Sequence, residues 1–411
     1  MKIIYTSPLI EHPPTGGPFL RVENSIIALN KICELHLVLF KENSEIGGDK
    51  AIEFYKNNCH KLVINNSGCN RNKMKKYPKI LRKLLFKNKK NYESQCDYLI
   101  DYCQSNKIDI LWFGYGNISF EIMNEFKKKM PNMPIVCDTD SVWSRFVLRK
   151  IPFIKNIDAI KKIEIDGRNK EIEEKEWVKF ADITTAVSEV DANYYKSLTV
   201  NKEKVKIFSN VININNYLQK QPKPKDFKNP CIFFAGYFGP KSPTDIAARW
   251  VINDILPIVK KEIPEIHFYI IGRDSKSTLS DINNPSVSVL GTVDSVLPFL
   301  QNSDVALVPL KFESGTRFKI LEAGVCEIPI VSTTLGAEGL DVSNNKDIII
   351  ADETQDFAQG IINLLKNKDF ANKIAKGLKD KIIKNNSIES HSNEALEIIN
   401  FIKEKNASNN S

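Results

Sequence analysis

The sequence predicts an α/β protein built as two parallel-sheet domains that face a central cleft. Three observations predict it. Short β-rich runs alternate with amphipathic helical runs along the chain, the rhythm of a parallel sheet with helical crossovers. At 411 residues the chain is too long for one hydrophobic core and suits two domains of roughly 200 residues each. One stretch, residues 219–230 (QKQPKPKDFKNP), is rich in Pro and Lys with little apolar content and reads as a flexible linker. The expected organisation is an N-terminal Rossmann-like domain over 1–218, the linker 219–230, a second Rossmann-like domain over 231–389, and a C-terminal helix with a frayed tail over 390–411.

The elements follow in order. Residues 3–7 read as the first strand, 19–30 as a helix and 35–40 as the next strand. Strands over 109–113 and 135–137 flank a helix over 120–129, and the charged run 164–180 is helical. Residues 183–186 form a short buried strand, after which Ser188 is a good N-cap for a helix over 189–196. Residues 205–208 close the first half. In the second half the expected strands are 231–235, 267–271, 287–290, 305–309 and 328–332, and the helices include 244–258, 293–302 and 318–326.

Composition excludes several classes. Apolar residues make up 42% of the chain, enough for two globular cores. No window approaches the ~18 uninterrupted apolar residues of a membrane span, and the opening MKIIYTSPLI reads as a strand rather than a signal peptide, so the cytoplasm is the expected location. Eight cysteines form no CxxC pair and no cluster with the five histidines, the pattern of scattered thiols in a reducing compartment, with no metal site expected. The net charge of +8 is concentrated: from Arg71 to Tyr92 there are ten Lys or Arg and no Asp or Glu. Within residues 71–90, Ile80, Leu81, Leu84 and Leu85 can share one helical face, which either packs into a core or lies on an anionic membrane surface at its inner face. No nucleic-acid-binding pattern accompanies the charge, so no nucleic-acid partner is expected. Oligomeric state is not legible.

The most informative run is residues 312–340, FESGTRFKILEAGVCEIPIVSTTLGAEGL, with the order loop, helix, strand, loop. A helix N-terminus and a strand C-terminus can there share the crevice in which open α/β sheets hold phosphorylated ligands. Ser314, Gly315 and Thr316 offer backbone N–H groups, Arg317 and Lys319 offer cations, and Glu322 offers a carboxylate for sugar or ribose hydroxyls. The set suits a sugar nucleotide; an ordinary αβ connection is the plain alternative. Strand 231–235 ends in Gly236 and continues to Lys241 before a helix, which suits a diphosphate. Gly272 follows the next strand. In the first half, Gly16 and Gly17 follow the first strand and permit positive φ and close approach to a ligand. No GxGxxG fingerprint is present, and Lys41 stands where a ribose-binding acid would follow the second strand, which argues against NAD or FAD.

The run 312–340 resembles the C-terminal signature of retaining glycosyltransferases of the group-one (family-four) type. It is similar to the subgroup with Ser-Gly-Thr-Arg-x-Lys-x-x-Glu-Ala followed by a strand and Leu-Gly-Ala-Glu-Gly. The resemblance implies the GT-B fold and transfer of a sugar from a nucleoside diphosphate sugar to a glycan or lipid-linked acceptor, with no cofactor and no metal needed for catalysis. It implies catalytic roles for Lys241, Arg317 and Glu322, with Glu322 also accepting from the ribose. Gly16, Gly17, Gly236, Gly272, Glu313, Ser314, Gly315 and Thr316 would line the donor, and His12, Arg21, Asp138 and Asp140 the acceptor side. It further implies a C-terminal helix that returns to the first domain. The chain departs from the family pattern at three places. Glu313 is one residue out of register with the family's first glutamate, Tyr237 and Phe238 stand where an arginine is usual, and no His occurs between His60 and His267. Alternatives are a sugar-nucleotide epimerase, an inverting transferase or a catalytically silent scaffold.

Overall fold

The computed structural model describes residues 1–65 and 89–409, and the side chains of 1–65 and 92–407. The basic stretch 71–90, and with it the expected membrane surface, falls outside them except for the start of a helix at Lys89. The described chain divides into two compact units.

Unit 1 comprises Met1–Ser144, Lys161–Asn210 and Ile388–Ser411. Its sheet has seven described strands: β1 (Lys2–Thr6), β2 (Glu34–Leu39), β3 (Lys61–Ile64), β4 (Ile110–Phe113), β5 (Ile135–Cys137), β6 (Ile183–Ala186) and β7 (Val205–Ile207). They run parallel in the order β3-β2-β1-β4-β5-β6-β7. The inner strands are buried on both faces, which is why they read as near-continuous apolar runs such as ILWF in β4. One core lies on each side of the sheet. The first holds Ile3, Tyr5, Leu37 and Trp112, and the second holds Ile4, Val38, Leu111 and Phe126. The helix Ile388–Asn409 joins the first of these through Ala395, Ile398, Ile399 and Ile402 and packs on the helix Gly17–Asn30. Ser188 caps the helix Glu189–Ser197, accepting from the Asp191 N–H at 3.2 Å.

Unit 2 comprises Arg145–Ile160 and Val211–Ser387. Its six described strands are β8 (Cys231–Ala235), β9 (His267–Ile271), β10 (Val287–Gly291), β11 (Val305–Val308), β12 (Ile330–Ser332) and β13 (Ile349–Ile350). They are parallel, in the order β10-β9-β8-β11-β12-β13. The helix after β8 starts at Pro243 with Ser242 as N-cap. It widens to a π turn over Val251–Ile255 before Pro257, which brings no N–H of its own to the ladder.

Both sheets reverse their strand order once, between β1 and β4 and between β8 and β11. Loops diverging at such a point leave a crevice beyond the carboxyl ends of the strands. Element positions agree with the sequence reading to within a few residues at most elements, but two boundaries differ. Residues 145–160 belong to unit 2 although their neighbours in sequence belong to unit 1. The stretch 219–230 is fastened to unit 2 rather than free. Phe227 is buried and stacks on Tyr269 at 4.3 Å, and the Gln221 N–H donates to Gln301 at 2.8 Å. One apolar anchor in a polar segment is enough to dock it, and composition averaging hides such an anchor.

Candidate active site

In unit 2 the loops after β8 and β11 flank the reversal point, and the motif residues sit on them. Gly272 at the end of β9 has φ of 143°, and a Cβ there would come within 1.7 Å of the Gly236 carbonyl oxygen. The two glycines therefore let the ends of β8 and β9 touch backbone to backbone. Past Gly236, Tyr237 is exposed with the Arg273 guanidinium 4.7 Å over its ring, whereas Phe238 turns inward against Phe234. Lys241 holds a left-handed backbone (φ 58°) with an exposed side chain, and its N–H donates to Asp245 at 2.7 Å.

The turn after β11 is braced from three directions. The Glu313 carboxylate accepts from the Ser314 N–H at 3.2 Å. Thr333 Oγ1 donates to the Leu310 carbonyl at 2.6 Å and accepts from the Gly336 N–H at 2.9 Å, tying the second glycine loop to this turn. Arg149 donates to the Glu313 carbonyl at 2.7 Å and to both carboxylate oxygens of Glu338, at 2.8 and 2.7 Å. Phe153 packs on Phe312 with ring centroids 5.0 Å apart. Burial alone would raise the Glu338 carboxyl, but the hydrogen bonds and charge of Arg149 bring it below the ordinary range.

Arg317 corrects an expectation. Its guanidinium is buried and donates to the carbonyls of Ser314, Gly315 and Leu335. It holds the turn in shape and is not presented as an open cation for a diphosphate. Lys319, on the first turn of the helix Phe318–Val325, has its Nζ 4.9 Å from the Phe234 ring centroid, beside the end of β8. Glu322, one turn further on, accepts from the Tyr217 hydroxyl at 2.9 Å, and burial raises its carboxyl pKa.

In unit 1 the acceptor-side expectations divide. Arg21 is 2% exposed and Asp138 1%, and they pair at 2.5 Å. Arg21 also donates to Asn210 and to the carbonyls of Phe208 and Ser209, while Thr185 donates to Asp138. Both charges satisfy each other inside the unit, so neither presents a charge to an acceptor, in correction of the sequence reading. Asp140 is half-buried and accepts from Asn117 and Trp143, with its carboxyl raised by burial. His12 follows β1 and stays at the surface. Its Nδ1 meets the buried Glu23 carboxylate at 2.7 Å, and its ring stacks on Phe54 at 3.9 Å. Gly16 is extended (φ 174°) and Gly17 opens the helix, so neither uses the positive φ expected of the pair. Gly16 instead leaves space, since a Cβ there would meet only Pro18 Cδ, at 3.9 Å.

Sequence reasoning missed Glu23, Arg149, Tyr217 and Glu338. Glu23 stands eleven residues from His12 on the neighbouring helix, a short-range signal that was available. Arg149 stands 164 and 189 positions from its partners, and nothing local marks it.

Residues 229–367 match the model of glycosyl transferases group 1. An uncharacterized protein in the cps region of Klebsiella pneumoniae is 27% identical over 128 residues, 29% of this chain and 33% of that protein, so the match spans about a third of the relative. Among solved structures, Anabaena HepE in complex with UDP and glucose superposes with a TM-score of 0.64 at 12% identity, over 97% of this chain and 99% of its own. Sucrose-phosphate synthase from Thermosynechococcus elongatus gives 0.69 at 14% identity, over 99% and 100%. TarM gives 0.67 at 14%, over 97% and 98%. Two parallel α/β sheets, each with a single order reversal, are thus the GT-B fold, and within the second unit residues 229–367 match the group 1 glycosyl transferase model.

Proposed function

We propose that this protein is a retaining glycosyltransferase that moves a sugar from a nucleoside diphosphate sugar to a glycan or lipid-linked acceptor in cell-surface polysaccharide synthesis. The observation that carries the reading is the Ser314–Gly315–Thr316 turn and Glu322 beside Gly236 and Gly272 at the order reversal of unit 2, within the matched segment. HepE is a UDP-glucose-binding neighbour, and a relative comes from a cps region, which supports the donor and the polysaccharide setting.

Glu322 offers the ribose its second carboxylate oxygen, the first being engaged by Tyr217. The Gly315 N–H and the Lys241 ammonium serve the diphosphate, the Ser314 N–H being engaged by Glu313. The acceptor oxygen bonds to the anomeric carbon as the bond to the diphosphate breaks, and the departing diphosphate takes the hydroxyl proton. Preorganised donors stabilise the charge that develops there. Half-buried Asp140 and the Glu23-held His12 lie on the acceptor side. No metal and no further cofactor take part, and a cytoplasmic position fits a nucleotide-sugar donor. No described helix is long and apolar enough to cross a membrane.

The test is thermal unfolding of wild type and Glu322→Ala against UDP, GDP, dTDP, CDP, ADP and their sugars. One nucleotide should raise the midpoint of wild type, and less so that of the variant. A folded protein that responds to none of them is a silent scaffold and overturns the reading. An epimerase would convert donor sugar without acceptor.

A further inference from the structure

Unit 2 holds an ammonium group that has no ion-pair partner among the described residues. Lys319 Nζ lies over the Phe234 ring, and a Cβ built on Gly236 would stand 3.5 Å from it. Three charged groups share its surroundings: Glu313 in the turn after β11, Arg317 at the helix cap and Glu322 on the same helix. Among the described residues, neither carboxylate comes within ion-pair distance of Nζ, and no oxygen accepts a hydrogen bond from it. Removal from water lowers its pKa to about 8. Taking a charge partly out of water costs stability unless an opposite charge offsets it. An aromatic face returns only a fraction of that.

The neighbouring groups narrow the role. The Arg317 guanidinium is committed to three carbonyls. Ser314, on the turn that leads into the same helix, is 8% exposed and its Oγ has no partner among the described residues. An uncompensated cation beside the end of β8 and an unsatisfied buried hydroxyl therefore lie on one helix and the turn that leads into it. Phosphate oxygens would give the cation its opposite charge and the hydroxyl its hydrogen bond, and neither group finds such a partner among the described residues.

We propose that Lys319 contacts the diphosphate of the nucleotide-sugar donor directly and stabilises the charge that gathers there as the sugar leaves, the role the sequence assigns to Arg317. This rests on the glycosyltransferase reading above. Arg317 becomes a positioning residue that shapes the turn.

The experiment is calorimetric titration of wild type, Lys319→Met and Lys319→Arg with UDP, or the diphosphate selected by the nucleotide panel, with its nucleoside monophosphate and with inorganic pyrophosphate. At pH 7 the Met variant should lose about tenfold or more in diphosphate affinity, and much less for the monophosphate. Wild-type affinity should fall as pH rises through 8, where the ammonium loses its proton. The Arg variant should bind without that fall, and the Met variant without it but weakly. Without ligand, Lys319→Met should unfold at a higher temperature than wild type, because it removes an uncompensated charge. A structural lysine would give the opposite shift.

Diphosphate binding unchanged in Lys319→Met, or a ligand-free variant less stable than wild type, overturns the assignment and leaves the donor reading standing. Wild type that binds no nucleotide overturns both. Pyrophosphate held as tightly as the nucleoside diphosphate would make this a free-anion site and overturn the donor role.

Discussion

Arg149 has a structural part in the candidate site that no local feature announces. Its five-donor fork spans the Glu313 carbonyl and the Glu338 carboxylate, joining the turn after β11 to the second glycine loop. Arg149→Ala should destabilise unit 2 by about 1–3 kcal/mol, the range for charge-assisted bonds that are only partly screened by solvent. It should also weaken nucleotide binding although Arg149 is not expected to touch the ligand. Urea unfolding together with the nucleotide titration measures both, and a stability loss with unchanged affinity would show that the turn keeps its shape without the clamp. The pair Arg21–Asp138 teaches a different lesson. Two charged residues that suit an acceptor by type are 2% and 1% exposed and neutralise each other. Charge type alone does not say which way a side chain faces.

At the scale of elements, the carboxyl ends of β8 and β9 meet at Gly236 and Gly272, and the approach sets where the loop 236–242 begins. A Cβ at residue 272 would overlap the Gly236 carbonyl, and its φ of 143° is outside the range L side chains readily adopt. Gly272→Ala should therefore cost about 2–4 kcal/mol and depress nucleotide affinity. Thermal unfolding of that variant against an alanine at open Gly48, where a Cβ meets nothing within 4 Å, separates crowding from φ strain, since Gly48 also has positive φ. Equal losses at the two positions would put the cost on φ alone. Much of the element order is legible in sequence. Strands such as β8 and β9 carry their burial in a short apolar run, and the helices after β6 and β8 start with recognisable caps, Ser188 and Ser242. The short strand β13 and the docking of 219–230 are not, because each depends on contacts with distant parts of the chain.

At the scale of the molecule, the chain passes from one unit to the other after Ser144, Ile160, Asn210 and Ser387. On the unit 1 side, the segment before Asn210 and the helix beginning at Ile388 are joined by a buried polar cluster. Glu394 accepts from the Ser209 N–H and hydroxyl, and His391 stacks on Phe208 at 3.7 Å and meets Ser25 and Glu394, each at 3.2 Å. Burial holds the His391 imidazole below its ordinary pKa of about 6.5, against the pull of Glu394 and Asp138 and with the help of Arg21. The unfolded chain thus binds this proton more readily, and the associated stability is present above about pH 6.5 and lost as pH falls below it. Comparing urea unfolding of wild type and His391→Gln from pH 8 to pH 5 checks the sign. Wild type should lose stability more steeply than the variant, and parallel curves would mean that His391 carries no linked proton. Glu394 acts lower still, its carboxyl being held below its ordinary pKa. Burial raises it, but the bonds from His391 and Ser209 lower it further, so its contribution is also lost on acidification.

The sequence by itself determined the two-sheet α/β architecture and the location of the Ser-Gly-Thr-Arg motif. Strand and helix periodicity are written over a few residues, and the residues 314–322 are contiguous around one helix start. Tertiary structure alone decided which charges are available. Arg317, Arg21 and Asp138 are engaged internally, Lys319 has no anion among the described residues, and Arg149 reaches the turn from far away in sequence. The physical reason is that a side chain's partners are set by packing between elements distant in the chain, and burial then fixes whether a charge meets a protein group or must find a ligand.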